Sequence, residues 1–497
     1  MTPQAPSNST ATGPAERPLR FAIIGAGVSG LLSAIKLREA GFDDFTIYEK
    51  ADRPGGTWRE NTYPGIACDV PSHMYRFSFE PNPEWTHRYS PGAEIQTYLE
   101  GVAKKYGLEE RICYGRELAR CEFGEGRWHL EMHDGSTDHV DVVVAATGVL
   151  HHPNVPEFEG TESFEGALFH SARWDHDIPL DGRRIGVVGT GSSGVQIVAA
   201  LASRVAKLCL FQRTAQWIMP QDNPAYGEEE KARFREHPEL MDQIYRETSQ
   251  LFEDNFANAV AEVGSPQIQI LTELTLANLE NSVKDPELRE RLRPDYQAAC
   301  KRLVISPDFY EAIQHPNAEL VTDAIDRIEP TGVRTADGRL HELDVIALAT
   351  GFRVDRFLRP VEVVGRNGVR LDDRWAERPT AYLSISIPDF PNLFLLNGPN
   401  GPVGNFSLID VAEQQLAYIE KLIGRLRSGA CREICATREA TEAFEAERTE
   451  AAKKTIWMTG CRSWYLDDRG IPAVWPWKLT RFREEMAAPK LQHYEER

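Results

Sequence analysis

Two glycine-rich turns of identical spacing constrain this chain more than any other feature: Gly25-Ala26-Gly27-Val28-Ser29-Gly30 and Gly189-Thr190-Gly191-Ser192-Ser193-Gly194. Each follows a short apolar run, Phe21-Ala22-Ile23-Ile24 in the first case and Ile185-Gly186-Val187-Val188 in the second. A run apolar at every position reads as a strand buried on both faces, as in parallel sheets covered by helices. Beyond the first turn, Leu31, Ala34 and Ile35 share one helical face, while Lys36, Arg38 and Glu39 occupy the other. Phe45-Thr46-Ile47-Tyr48 supplies the next strand, and Val195 to Leu201 followed by Leu208-Cys209-Leu210-Phe211 repeats the order. Glycine permits the tight turn and lets a pyrophosphate approach backbone N–H groups at a helix start. The expected fold is α/β, with two Rossmann-like dinucleotide-binding domains.

The two units differ in sign at one position. Glu49 stands 24 residues after Gly25, and Arg213 stands 24 residues after Gly189. A carboxylate at the end of the second strand accepts hydrogen bonds from a ribose hydroxyl, whereas an arginine there cradles a 2′-phosphate. One site thus suits a dinucleotide with a free ribose, such as FAD, and the other suits NADPH. A flavin-dependent oxidoreductase fed by NADPH follows.

At 497 residues the chain is too long for one core, so two or three domains are expected. The net charge of −19 argues against nonspecific binding to nucleic acid or an anionic membrane, leaving local basic residues to hold anionic cofactors. Residues 1–18 are rich in Pro, Ser, Thr and Ala and read as a disordered tail rather than a signal peptide. No apolar run is long enough for a membrane span. The cysteines at 68, 113, 121, 209, 300, 431, 435 and 461 are scattered, and no metal site is expected. Disulfide reductases also join flavin and NADPH domains but require a redox-active cysteine pair by the flavin, and the sequence shows none. Reduced cysteines point to the cytoplasm. Oligomeric state is not legible.

Val142-Val143-Val144-Ala145-Ala146-Thr147-Gly148 and Val345-Ile346-Ala347-Leu348-Ala349-Thr350-Gly351 both read as buried strands ending in a small-residue turn. With Pro153 and Pro156 marking a crossover, an FAD-binding domain is expected over 19–152 and again over 385–497. An NADP-binding domain is expected over 153–222 and 300–384. Phe234, Leu240, Ile244, Leu251 and Phe252 recur at roughly helical spacing, so 223–299 reads as a helical insertion, either a solvated cap or a substrate lid.

Between the nucleotide units, Phe164-Glu165-Gly166 leads through His170 to Trp174-Asp175. This run resembles the F-x-G-x-x-x-H-x-x-x-W-[PD] fingerprint of type I Baeyer–Villiger monooxygenases. A second fingerprint of that family is matched by Gly55-Gly56-Thr57-Trp58, Tyr63-Pro64-Gly65 and Asp69. The resemblance runs from about Phe21 to Phe482 and implies the following roles. Phe164, Gly166, His170, Trp174 and Asp175 couple the movement of the cofactor domains, although a lone linker histidine is more often only a hydrogen-bonded structural residue. FAD is held by Gly25, Gly27, Ser29, Gly30, Glu49, Gly56, Thr57, Trp58, Asp69 and Tyr75, with Trp58 and Tyr75 open to the alternative of plain core aromatics. NADPH is held by Gly189, Thr190, Gly191, Ser192, Ser193, Gly194, Arg213, Thr214, Lys301, Arg302 and Trp464. Trp464 lies in a mobile loop, Cys461-Arg462-Ser463-Trp464-Tyr465, that folds over NADP⁺. Related sequences often place a glycine in the approach to the Lys301-Arg302 pair, where this chain has Tyr296-Gln297-Ala298-Ala299-Cys300.

Arg302 and Asp69 are the catalytic candidates. The expected oxygenating species is an anionic C4a-peroxyflavin, which attacks a ketone only while it keeps its charge. Arginine can stabilise that anion without donating a proton. Asp69 would pair with Arg302 and orient it, unless it merely caps the turn after Pro64-Gly65. The expected reaction uses O2 to convert a ketone to an ester or lactone. The alternatives are a sulfur- or nitrogen-oxygenating flavin monooxygenase and, more distantly, a non-oxygenating NADPH-binding flavoprotein acting as a redox switch.

Overall fold

The computed structural model describes residues 17–404 and 406–497. The tail expected over 1–18 lies outside them up to residue 16. Strand Phe21–Ile24 is buried at every position and pairs in parallel with Phe45–Tyr48 on one side and Val142–Ala145 on the other. Ile112–Cys113 and Leu393–Leu395 complete a five-stranded parallel sheet. In a second five-stranded parallel sheet, Arg184–Val188 lies between Lys207–Phe211 and Val345–Leu348, with Ala318–Val321 and Ala167–His170 at the edges. The glycine strand is central in both, and the Val142 and Val345 runs take equivalent places beside it. Their unbroken apolar composition suits strands covered on both faces. This is the mixed α/β fold expected from the repeated strand–turn–helix order.

Helix Val28–Glu39 departs from the one-faced pattern. Its residues 30–35 and 37 are all buried, because helix Leu408–Arg427 packs on it as well as the sheet. Residues 223–299 contain helices Glu228–Glu236, Glu239–Phe252, Pro266–Ser282 and Pro286–Arg291. These helices touch both nucleotide units. At one end Asp242 pairs with the buried Arg76 at 2.7 Å, and the His73 ring sits 4.7 Å from Phe234 and 5.4 Å from Tyr226. At the other end Asn278 donates to the carbonyl of Ile218. Among the described residues no helix is long and apolar enough to cross a membrane.

The cysteines are not all apart. Cys300 and Cys461, 161 residues distant in sequence, form a disulfide with their Cα atoms 6.1 Å apart. The expectation of wholly reduced, unpaired cysteines is corrected at this pair, and cysteine usage no longer supports a compartment. Spacing along a chain says nothing of pairs that only the fold brings together. The other six cysteines are free.

Candidate active site

Both glycine turns have the shape a dinucleotide needs. Gly25 and Gly189 take positive φ values of 104° and 111°, and a Cβ at either would lie 2.7 Å or 2.4 Å from the carbonyl oxygen of Ala146 or Ala349. Side chains at Gly30 and Gly194 would collide with the carbonyls of Gly25 and Gly189. The middle glycines differ. Gly191 faces open space, and Gly27 faces the backbone of Gly56. Both middle glycines cap their helices without a side-chain hydrogen bond, which leaves backbone N–H groups directed at the space a pyrophosphate would occupy. The buried Glu49 accepts from the Ala26 N–H at 2.8 Å and the Ala51 N–H at 2.9 Å, and pairs with Arg59 at 3.0 Å. Ser29 accepts a long contact from the Asn397 amide, whose own Oδ1 is buried without a partner among the described residues. An orphaned acceptor beside a glycine turn fits a bound polar group.

The loop after Gly56 carries its fingerprint residues into one region. Thr57 begins the short helix Thr57–Glu60, and the Trp58 indole donates to the Tyr75 hydroxyl at 3.1 Å. Burial raises the Tyr75 phenol well above its ordinary range, so it stays protonated. Farther along, Gly65 presses on the carbonyl of Gln196 in the second unit's helix. Ser193 donates to Tyr63, which donates to Gln196, which donates to the Ala67 carbonyl. The Asp69 loop is thereby fastened to the helix that starts at the second glycine turn.

Asp69 and Arg302, 233 residues apart, meet at 2.6 Å. One Asp69 oxygen accepts from both Nε and Nη2 of Arg302, while Nη1 donates to the carbonyl of Gly404 at 3.0 Å. The Arg302 side chain remains 35% exposed, so its charge can still reach a bound molecule. Asp69 raises the guanidinium's proton affinity still further, ahead of the opposing effect of burial. This group holds its proton at any pH the fold survives. The Tyr465 hydroxyl lies against the same guanidinium, and a Cβ at Gly404 would strike it.

Lys301 lies with its ammonium 4.5 Å over the Tyr296 ring. Burial, and secondarily repulsion from Arg213, lowers its proton affinity. Arg213 itself is exposed at the end of its strand, and the Thr214 carbonyl accepts from Thr190. Two cations repelling each other leave a place for an anion. Trp464 is 36% exposed and packs against the buried Tyr465, with centroids 4.2 Å apart and ring planes tilted by 43°.

In the linker fingerprint, a Cβ at Gly166 would collide with the Asp344 carbonyl and the Phe164 ring. His170 satisfies both ring nitrogens: Nε2–H donates to the Gly351 carbonyl at 3.0 Å, and Nδ1 accepts from the Ala172 N–H at 3.1 Å. Burial lowers its pKa, keeping it neutral. It therefore grips the turn after Val345–Leu348, whose Ala349 carbonyl faces Gly189. The buried Trp174 packs edge-on to Phe169, while the exposed Asp175 accepts from the local Asp177 N–H.

The sequence motifs include Tyr63 and Tyr465 without assigning either a role of its own and leave out Gln196, Asn397 and Gly404, although the repeated Asn-Gly-Pro of 397–402 is a turn signal that could have drawn attention there. Among the described residues, Cys209, Glu319 and His341 bring candidate metal-ligand atoms within 4.8 Å of one another. Glu319 is already paired with Arg339 and Lys207, at 2.6 Å and 3.4 Å.

A model of the FMO-like family, flavin-binding monooxygenase-like, matches residues 19–229. An uncharacterized monooxygenase of Mycobacterium tuberculosis is 48% identical over 474 residues, 95% of each chain. A Baeyer–Villiger monooxygenase of Pseudomonas aeruginosa is 38% identical over 478 residues, covering 94% of this chain and 90% of its own. The solved structure of cyclohexanone monooxygenase from Rhodococcus sp. Phi1 bound to NADP⁺ is similar with a TM-score of 0.86 at 29% identity, over 96% of this chain and 99% of that one. Identity of this extent along almost the whole length makes the chain a member of the FMO-like flavin-binding monooxygenases, an enzyme of the Baeyer–Villiger type with FAD and NADP(H) as cofactors.

Proposed function

We propose that the enzyme inserts one oxygen atom of O2 beside the carbonyl of a small-molecule ketone, giving an ester or lactone at the expense of one NADPH. Ketone, O2, NADPH and a proton become ester, NADP⁺ and water. In this reading Gly25, Gly27, Ser29, Gly30, Glu49, Gly56, Thr57, Trp58 and Tyr75 hold FAD. NADPH sits on Gly189 to Gly194, with Arg213, Thr214 and Lys301 at its 2′-phosphate and Trp464 across it. FAD, when bound, supplies hydride acceptance and an activated, anionic oxygen nucleophile.

The remaining chemistry belongs to the chain. Arg302 offers positive charge where negative charge must persist and, held protonated by Asp69, does not quench it by proton transfer. Asp69 and the Gly404 carbonyl orient the guanidinium fork. Protonated Tyr75 and Trp58 form a wall that takes no part in proton transfer. The Arg302–Asp69 pair is the observation that carries the proposal.

The test is NADPH consumption by the purified flavoprotein against a panel of ketones, beginning with cyclohexanone, the ketone in the name of a solved relative. A ketone-dependent rate with a product one oxygen heavier, identified as ester or lactone, is expected. Oxygenation confined to sulfides or amines would sink the proposal.

A further inference from the structure

Cys300 immediately precedes Lys301 and Arg302, and Cys461 opens the stretch that ends in Trp464 and Tyr465. Their disulfide is therefore a covalent tie between the two segments that flank Arg302. Nothing in the oxygenation reaction uses it. We propose that Cys300 and Cys461 are a redox-modification site, a latch that sets how freely the Trp464 segment opens and thus how long NADP⁺ stays bound. The inference rests on the reading that Trp464 covers NADP⁺.

Three observations converge on the tie. On the 300 side, Ala299 holds a left-handed backbone at φ +66°, a conformation that persists in alanine only where its surroundings impose it. On the 461 side, Arg462 and Trp464 are exposed, so that stretch has little packing of its own beyond Tyr465. Between them, Ala299, Leu303, Ile456, Trp457 and Tyr465 share one apolar cluster. The disulfide thus joins an exposed segment to a constrained one through a packed floor. Breaking it leaves the floor intact and frees the segment above.

Both cysteines are buried, Cys461 the less so at 6% exposed against 0% for Cys300, and Cys461 adjoins the exposed Arg462. Oxidation by a hydroperoxide balances in two steps. The Cys461 thiolate attacks the O–O bond, yielding a sulfenic acid, and the expelled hydroxide or alkoxide takes up the proton the thiol gave up and leaves as water or an alcohol. The Cys300 thiol then displaces the hydroxyl as water and forms the S–S bond. A soluble dithiol reverses this by attacking Cys461 Sγ, restoring both protein thiols and leaving as its own cyclic disulfide. Two electrons move in each direction.

The test uses the flavin-loaded enzyme after hydrogen peroxide or dithiothreitol, each removed before measurement. Non-reducing peptide mapping reports the crosslink, and stopped-flow displacement reports the release rate of NADP⁺. The oxidised enzyme should carry a peptide joining 300 to 461, and reduction should speed NADP⁺ release about fivefold or more, because segment opening limits release in this proposal. Cys461→Ser should release NADP⁺ at the fast rate after either treatment. Because reduced wild type makes the same comparison, a poorly folding variant leaves the test intact. Equal release rates with the crosslink shown present and absent would overturn the latch, as would absence of the joined peptide after oxidation. Trp464→Ala separates the two layers of the argument. Faster release in that variant, with release from the wild type unchanged by reduction, defeats the latch alone. Unchanged release in both defeats the placement of NADP⁺ under Trp464 as well.

Discussion

Ala299 is the residue whose behaviour is least readable from its identity. Glycine reaches a left-handed backbone without steric cost, whereas an L-residue is disfavoured there by about 1–2 kcal/mol. Ala299→Gly would relieve that strain, but would also loosen the unfolded chain by about 0.4–1 kcal/mol and remove a buried methyl worth about 0.8 kcal/mol. These effects nearly offset, so its stability should fall within about 1 kcal/mol of wild type. Ala299→Val places a β-branched side chain in the same conformation and should cost about 3 kcal/mol. Thermal melts of the two variants check the contrast. Lys301 yields a pH prediction. Burial and Arg213 make its ammonium lose a proton at lower pH than an ordinary lysine. As pH rises through that lowered value, NADPH should bind more weakly while NADH is little affected, and Lys301→Arg should flatten the decline. Lys301→Ala should cost about 2 kcal/mol, roughly 30-fold in NADPH affinity; titration with both nucleotides decides it. Glu49 and Arg213 could be picked out as candidates because their chemistry follows from spacing. The meeting of Asp69 with Arg302 was reachable only through family resemblance, since no local rule links residues so far apart.

At the scale of elements, the central strands were legible almost to the residue, because apolar runs ending in glycine admit few readings. Helix Val28–Glu39 was legible in position but not in burial, which depends on helix Leu408–Arg427 arriving from the far end of the chain. The docking of the insertion was not legible at all, since His73 and Arg76 carry no motif. That contact predicts an acid response. Burial, then Arg76, lowers the His73 pKa to about 4, from an ordinary value near 6.5. The undocked ring binds a proton more readily, so docking is complete above pH ~6.5 and weakens as pH falls toward 4. Hydrogen exchange of helix Glu228–Glu236, corrected for intrinsic rate, should rise between about pH 7.5 and about pH 5. His73→Phe should abolish that rise; an unchanged pH dependence in this variant would clear His73 of the role.

The whole molecule repeats one device. Each parallel sheet carries a glycine turn closed against a small-residue turn from the neighbouring strand, and the chain between them is fastened through Tyr63, Gln196 and His170. The double architecture was legible because both fingerprints are complete, whereas the contacts between the halves depend on side chains with no pattern of their own. What this arrangement achieves is the joining of Asp69 from one half to Arg302 from the other, beside the backbone of Gly404. The account stands or falls on that arginine's place in oxygen transfer rather than in hydride supply. The direct measurement compares Arg302→Ala with wild type in two assays: anaerobic reduction of the bound flavin by NADPH, and aerobic formation of ester from a ketone that wild type accepts. Flavin reduction should persist while ester formation falls by about 100-fold or more. Ester formation at a rate near that of wild type would contradict the account.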